Sequence, residues 1–383
     1  MRITGAKIYE LQIPFVEAFS HATKNRRFSD SFVVRLTAED GTTGYGEGAA
    51  RQYVTGEIVG RSIDYIQKQL FPIVSATDFA EITVGENDLA AIVENFPVNK
   101  TNASIVWNAA ETAVELALID CLLKRQNRSL GDVLPPVCET IVYSGVITTG
   151  SVETAAQHAR RFKLFGIKQL KIKIDGENDF ERIRAVREAV GDTVSLRLDA
   201  NGAFGADEAV EILEKLSIFN IAAVEQPIKR GSIPELARVQ VNSAIPVMVD
   251  ESLITLSDAE ELIAAKACDF FNLRVSKCGG ISRTIEIARA AVQAGIKIQI
   301  GCQVGETAIL SAAGRHLAAF LPAVEFVEGS FGNLLLVEDI GRDAVNFGHG
   351  GRARMLRGRG LGVTVRDEIL EKYAVSIATL GKK

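Results

Sequence analysis

Six ionisable residues, Lys173, Asp199, Glu225, Asp250, Lys277 and Glu306, recur along the chain at intervals of 26, 26, 25, 27 and 29 residues. Three consecutive members are carboxylates. Like charges a few ångströms apart cannot all stay ionised in a partly desolvated site unless a positive charge holds them, and a divalent cation supplies one. The trio brings oxygen donors only, with no His or Cys in its motifs, which favours Mg²⁺, with Mn²⁺ as an alternative, over zinc. Asp199, Glu225 and Asp250 are therefore the predicted metal ligands.

Lysines flank the acids on both sides. Lys171 and Lys173 sit two positions apart in "QLKIKI", so in a strand both ammonium groups point to one face. On a solvated edge this is an ordinary guard against strand pairing; the repeat in which it sits argues instead for the mouth of a barrel. Lys277 comes from the far side of the acids. A lysine acts as a base only when its pKa falls toward working pH, and a nearby cation drives it that way. Lys173 is the expected base on one face and Lys277 the base or acid on the other, while Lys171 supports Lys173 and helps hold a substrate carboxylate. A cation between two proton carriers suits abstraction of the proton next to a carboxylate, with the enolate stabilised where its charge appears.

The interval between these residues is that of one strand–helix unit. Eight short apolar segments, from "TIVYSGVI" and "QLKIKI" through "IKIQIGCQ" to "VEFVEGS", alternate with amphipathic ones such as "ADEAVEILEKLS". Near-continuous apolar runs are what parallel strands covered by helices require. The expected fold is α/β, a (β/α)7-8 TIM-type barrel over residues 135–345. Residues 1–134 read differently: a strand "RITGAKIYELQI", a hairpin "SFVVRLTAEDGTTGYGEG" and a helix "ASIVWNAAETAVELALIDCLLKR" suggest an α+β capping domain. The paired prolines of "GDVLPPV" mark the boundary.

Composition narrows the class. At 383 residues, with 47% hydrophobic and 24% charged side chains, the chain resembles a globular protein able to bury large cores. A net charge of −5 argues against nucleic-acid or anionic-membrane partners. The five cysteines are scattered without C-x-x-C spacing, no signal-peptide pattern opens the chain, and no apolar run reaches the roughly 18 residues of a membrane span. A cytoplasmic location is expected.

Taken together, the K-x-K at Lys171 and Lys173, "LDAN" with Asp199 and Asn201, "EQP" with Glu225, "DES" with Asp250 and "SKCGGIS" with Lys277 resemble the enolase superfamily, muconate lactonizing enzyme subgroup, near the dipeptide epimerases. The mandelate racemase subgroup would place a His at the end of the seventh strand, where "IQIGCQVGE" has none. The resemblance implies a Mg²⁺ held by the three acids, Lys173 and Lys277 as the acid/base pair, and Lys171, Asn201 and Glu306 as supporting residues. Glu306 would either act directly or orient a lysine, and Arg274 would be structural. It also implies that residues 346–383, around "GRGLGV", return to the capping domain, and that the barrel associates with itself.

In such proteins the substrate meets capping-domain loops and the eighth strand end. "FVEAFSHATKNRRFSD" offers His21 and Lys24, "ARQYVTGE" offers Tyr53 and Thr55, and "FVEGSFGNLLL" offers Glu328 and Ser330. Dipeptide epimerases carry D-x-D at the last of these to bind an ammonium group; this chain has a single acid there. The expected activity is an isomerase acting on a small carboxylate, either a racemase or epimerase of dipeptide or N-acyl amino acid type or a muconate-type cycloisomerase. A dehydratase or o-succinylbenzoate synthase-type lyase would share the chemistry up to the enolate. A Schiff-base lyase would use a strand-end lysine without the acids, and a non-catalytic barrel binding a small acid has no reason to keep six ionisable groups in phase.

Overall fold

Alternate glycines explain how the chain begins. Strands β1 (Ile3–Leu11), β2 (Pro14–His21), β3 (Lys24–Phe28), β4 (Ser31–Ala38) and β5 (Thr43–Gly48) precede a long buried helix, Asn108–Arg125. A Cβ at Gly44 would lie 2.2 Å from the Ala117 carbonyl oxygen of that helix, and one at Gly46 would lie 2.0 Å from that of Ala113. The "GYGEG" run thus lets helix backbone lie directly on strand backbone. The computed structural model describes residues 1–21, 24–83, 85–97 and 104–381, and side chains 17–26 fall outside that description.

Beyond the helix come β6 (Thr140–Val142), β7 (Gly145–Ile147), β8 (Gln169–Lys173), β9 (Ser195–Asp199), β10 (Ile221–Glu225), β11 (Val247–Val249), β12 (Phe270–Leu273), β13 (Lys297–Ile300), β14 (Val324–Val327), β15 (Arg352–Arg354) and β16 (Ala374–Gly381). β7 to β14 form one parallel sheet in sequence order. Its strands are joined by the helices Val152–Leu164, Asp179–Val190, Ala206–Leu216, Ile233–Asn242, Leu256–Ala264, Ile281–Gln293 and Ala308–Phe320. Local signals start several of these helices: Ser151, Ser232 and Thr255 each accept a bond from a first-turn amide, and the last forms a capping box with Asp258. The sheet curls until its edges meet, where Ser144 N donates to Val327 O at 2.8 Å.

The first barrel strand is shorter than "TIVYSGVI" suggested. Only Gly145–Ile147 joins the parallel sheet, while Thr140–Val142 pairs antiparallel with β15. The chain end returns to the N-terminal sheet, whose order is β16-β1-β4-β5. "GRGLGV" is anchored on the long helix, with Leu361 N donating to Asp120 Oδ1 at 3.0 Å. Among the described residues, no helix is long and apolar enough to cross a membrane.

Candidate active site

Period-two alternation decides what faces the barrel interior. On β8 the apolar Leu170 and Ile172 go to the helices, leaving Lys171 and Lys173 to the axis; β9 turns Arg197 and Asp199 inward by the same rule. Register aligns the strand ends, pairing Lys173 with Asp199 and Asp199 with Glu225. Deeper in the barrel an apolar plug of Ala223, Met248, Phe270 and Phe326 closes the interior, and the charged layer rests on it. The Arg197 guanidinium lies 4.1 Å from the Phe326 ring centre, a cation–π contact.

The three acids are buried and cross-bridged by cations. Lys171 Nζ lies 3.3 Å from both Asp199 Oδ2 and Glu225 Oε2. Arg274 Nη2 lies 3.1 Å from Glu225 Oε1 and 2.5 Å from Asp250 Oδ2. Glu225 also accepts bonds from Asn272 Nδ2 at 2.9 Å and Gln299 Nε2 at 3.0 Å. Burial opposes ionisation of Asp199, but Lys173 and Lys171 outweigh it and hold its carboxyl below the usual range. Burial likewise opposes ionisation of Asp250 and is outweighed by Arg274 and Lys277. Glu225 goes the other way: burial, helped by Asp199 and Glu328, pushes it up despite Lys171.

Lys171, expected to support Lys173 and hold a substrate carboxylate, is kept charged: burial works against the ammonium, but Glu225, Glu328 and Asp199 hold its pKa well above the ordinary value. Lys171 is a fixed positive charge.

Lys173 Nζ donates to Asp199 Oδ2 at 3.0 Å and to Asn201 Oδ1 at 2.5 Å. The Asn201 amide in turn donates to Glu251 Oε1 at 3.2 Å. Lys277 comes not from a strand but from the short helix Val275–Cys278. Its three donors are all used, on Asp250 O at 2.7 Å, Asp250 Oδ1 at 3.0 Å and Asn272 O at 2.8 Å. The two lysines thus grip different acids, Asp199 and Asp250, on strands separated by β10.

A cavity of about 570 Å³ opens over this cluster. Lys171, Lys173, Asp199, Asn201 and Arg274 form its charged floor, and Tyr53, Glu306, Glu328 and Ser330 its walls. Glu225, Asp250 and Lys277 lie beneath that surface and do not line it. Thr55 also lies away from it, its hydroxyl donating to Glu57 Oε2 at 2.8 Å. Glu306 takes the backbone N–H of Gln303 at 2.5 Å, with no ion pair to a lysine among the described residues. Ser330 Oγ donates to the Tyr143 hydroxyl at 2.9 Å. The side chains of His21 and Lys24 lie outside the described residues.

Several residues here carried no readable signal in the sequence. Gln226 adopts a left-handed backbone, φ 42°, and its Oε1 accepts the amides of Asp250 at 3.0 Å and Ser252 at 3.1 Å. It locks one acid-bearing strand end to the next. Arg197, Asn272 and Gln299 likewise carry no signal, because an inward-facing polar residue on a strand is recognisable only once its partners across the barrel are known; Glu251 lies in the turn after β11.

In chemistry the donor set fits a hard divalent cation: three carboxylates from adjacent strand ends, with amide nitrogens and carboxamides holding them. In arrangement it is a cation-bridged cluster. Among the described residues, no group of three or more His, Cys, Asp or Glu side chains is placed so that it could hold a metal ion.

Residues 153–369 match the family model described as Enolase C-terminal domain-like. The chain belongs to the enolase superfamily. Within that superfamily it is similar to a hydrophobic dipeptide epimerase of Enterococcus faecalis, 32% identical over 83% of this chain and 87% of that protein. It is also similar to an N-succinyl-L-Arg/Lys racemase of Bacillus cereus, 27% identical over 98% of each chain. The crystal structure of the latter superposes with a TM-score of 0.89, covering 99% of this chain and 100% of that one at 26% identity. A dipeptide epimerase from Cytophaga hutchinsonii, solved with Mg and the dipeptide D-Ala-L-Val, gives a TM-score of 0.87 at 26% identity over 99% of this chain and 100% of its own.

Proposed function

We propose that this protein is a Mg²⁺-dependent racemase or epimerase that removes and returns the proton α to the carboxylate of an amino-acid derivative. The observation that carries the reading is the pair of lysines set on different acids, Lys173 on Asp199 and Lys277 on Asp250, with Glu225 between. A 1,1-proton transfer needs one proton carrier on each side of the α-carbon. The relatives named as epimerases and racemases support the same reading.

Asp199, Glu225 and Asp250, bridged in this structure by Lys171 and Arg274, would hold the metal in place of those bridges, and it would supply Lewis-acid stabilisation of the charge developing on the substrate carboxylate. Lys173 Nζ would take the proton on one face, steered by Asn201 and Asp199; Lys277 Nζ, held beneath the cavity by Asp250 and Asn272, would have to leave those partners to deliver one on the other. Lys171, kept charged, stabilises negative charge on the substrate without exchanging a proton. The apolar plug and the buried strand ends keep water from beneath the reacting atoms, which strengthens each of these contacts. Residues 1–134 would form the capping domain over a barrel of residues 135–345, with residues 346–383 returning to it, and self-association is expected. Incubation with Mg²⁺ in D₂O and a panel of dipeptides and N-acyl amino acids tests the reading: α-deuterium and loss of optical purity are expected. A panel that keeps its α-protons while the protein is folded and metal-loaded overturns it.

A further inference from the structure

The charges around the cavity discriminate between amino-acid derivatives that carry an ammonium group and those that do not. Among the described residues, three carboxylates reach the cavity: Asp199, Glu306 and Glu328. Asp199 is taken by Lys173 and Lys171. Glu328 has both oxygens engaged, Oε2 by Lys171 at 2.6 Å and Oε1 by Arg197 at 2.8 Å. Glu306 is driven up to about 8 by burial, so at neutral pH it is a protonated acid. An entering ammonium group would lose its hydration and find no free counter-charge, a costly placement. An acylated nitrogen carries no such charge.

The far wall says what the acyl group meets. Val146, Phe162, Phe331, Leu334 and Phe347 make it apolar and aromatic, and Phe331 and Phe347 pack edge to face at 5.9 Å. Beside Phe162, one turn from the end of the helix Val152–Leu164, stands Arg161. Of the cationic side chains at the cavity, Lys171, Lys173 and Arg274 are paired with site carboxylates, whereas Arg161 forms no ion pair with a described carboxylate. It is exposed and lines the cavity beside that apolar wall.

Resting on the racemase or epimerase reading above, we propose that the substrate is an N-acylated α-amino acid whose acyl arm ends in a carboxylate received by Arg161, and not a dipeptide with a free ammonium group. The test uses matched series in which one amino acid is N-succinylated, N-acetylated or linked to L-alanine as a dipeptide, with kcat/KM for α-proton exchange measured in D₂O with Mg²⁺. The expected order is succinyl, then acetyl, then dipeptide. In Arg161→Met the succinyl-over-acetyl ratio should fall about fivefold, the scale of an exposed ion pair, and should do so through KM. Dipeptides exchanging faster than both acylated compounds, or a ratio that Arg161→Met leaves unchanged, overturns the assignment while leaving the racemase reading intact. Failure of every series to exchange overturns the underlying reading instead.

Discussion

Lys171 Nζ sits 2.6 Å from Glu328 Oε2, although the two residues are 157 positions apart, one on the second strand of the barrel and the other directly after the eighth. Arg197 takes the other oxygen of the same carboxylate. The three side chains form a charged strut across the seam where the sheet closes, and the strut sets Lys171 against Asp199 and Glu225.

Breaking that strut from the acid side strands two buried cations. Glu328→Gln is expected to destabilise the protein by about 3 to 5 kcal/mol, the usual cost of an unpaired buried charge. Burial resists the Glu328 carboxylate, yet Lys171 and Arg197 keep it ionised below the usual range. Urea unfolding of Glu328→Gln, Arg197→Met and the double variant checks this. The double should be less destabilised than the sum of the singles; additive losses would show that the pair is not coupled.

The two lysines should fail differently. Lys173→Ala and Lys277→Ala are each expected to slow racemisation by at least about 10²-fold, the lower range for loss of an acid/base group. Each variant should still exchange the α-proton of the one enantiomer that faces the remaining lysine. Proton NMR of separate D- and L-substrates in D₂O reads this directly, and equal loss of exchange from both enantiomers in both variants would refute the two-sided arrangement.

Metal removal should stop turnover without unfolding the barrel. Lys171, Lys173, Arg274 and Lys277 already pair with the three acids, so the apo cluster is not left to repel itself. Exhaustive chelation is expected to abolish exchange, and added Mg²⁺ to restore it. Near-ultraviolet circular dichroism should be unchanged throughout. Asp250→Asn should lose about 10²- to 10³-fold in kcat, the scale of one electrostatic element at a reacting centre.

Stability should carry a pH signature from the capping region. Glu47 is fully buried and caps the helix Ala308–Phe320, accepting the Thr307 amide at 3.0 Å and the Thr307 hydroxyl at 2.7 Å. Burial raises its carboxyl to about 7. A folded value above the unfolded one means that the native state binds more protons in between, so this contribution is greatest below about 4.5 and is lost as pH rises to about 7. Glu47→Gln removes the titration. Its unfolding free energy minus that of the wild type should therefore rise between pH 4.5 and 7; a flat difference would mean that Glu47 titrates normally.

The spacing of Lys173, Asp199, Glu225, Asp250 and Lys277 was enough to determine a repeating strand–helix unit and the types of side chain gathered at its mouth, because side-chain direction alternates along a strand and the repeat returns the chain to the same end. The pairing of those side chains was not legible there. That Glu328 closes on Lys171 and Arg197, that Arg274 bridges Glu225 and Asp250, that Thr55 turns to Glu57 and that Lys277 lies beneath the cavity all depend on how far the sheet curls before β14 meets β7. Electrostatic contacts depend on distance through space, and local sequence encodes direction along one strand; only the closed barrel converts the one into the other.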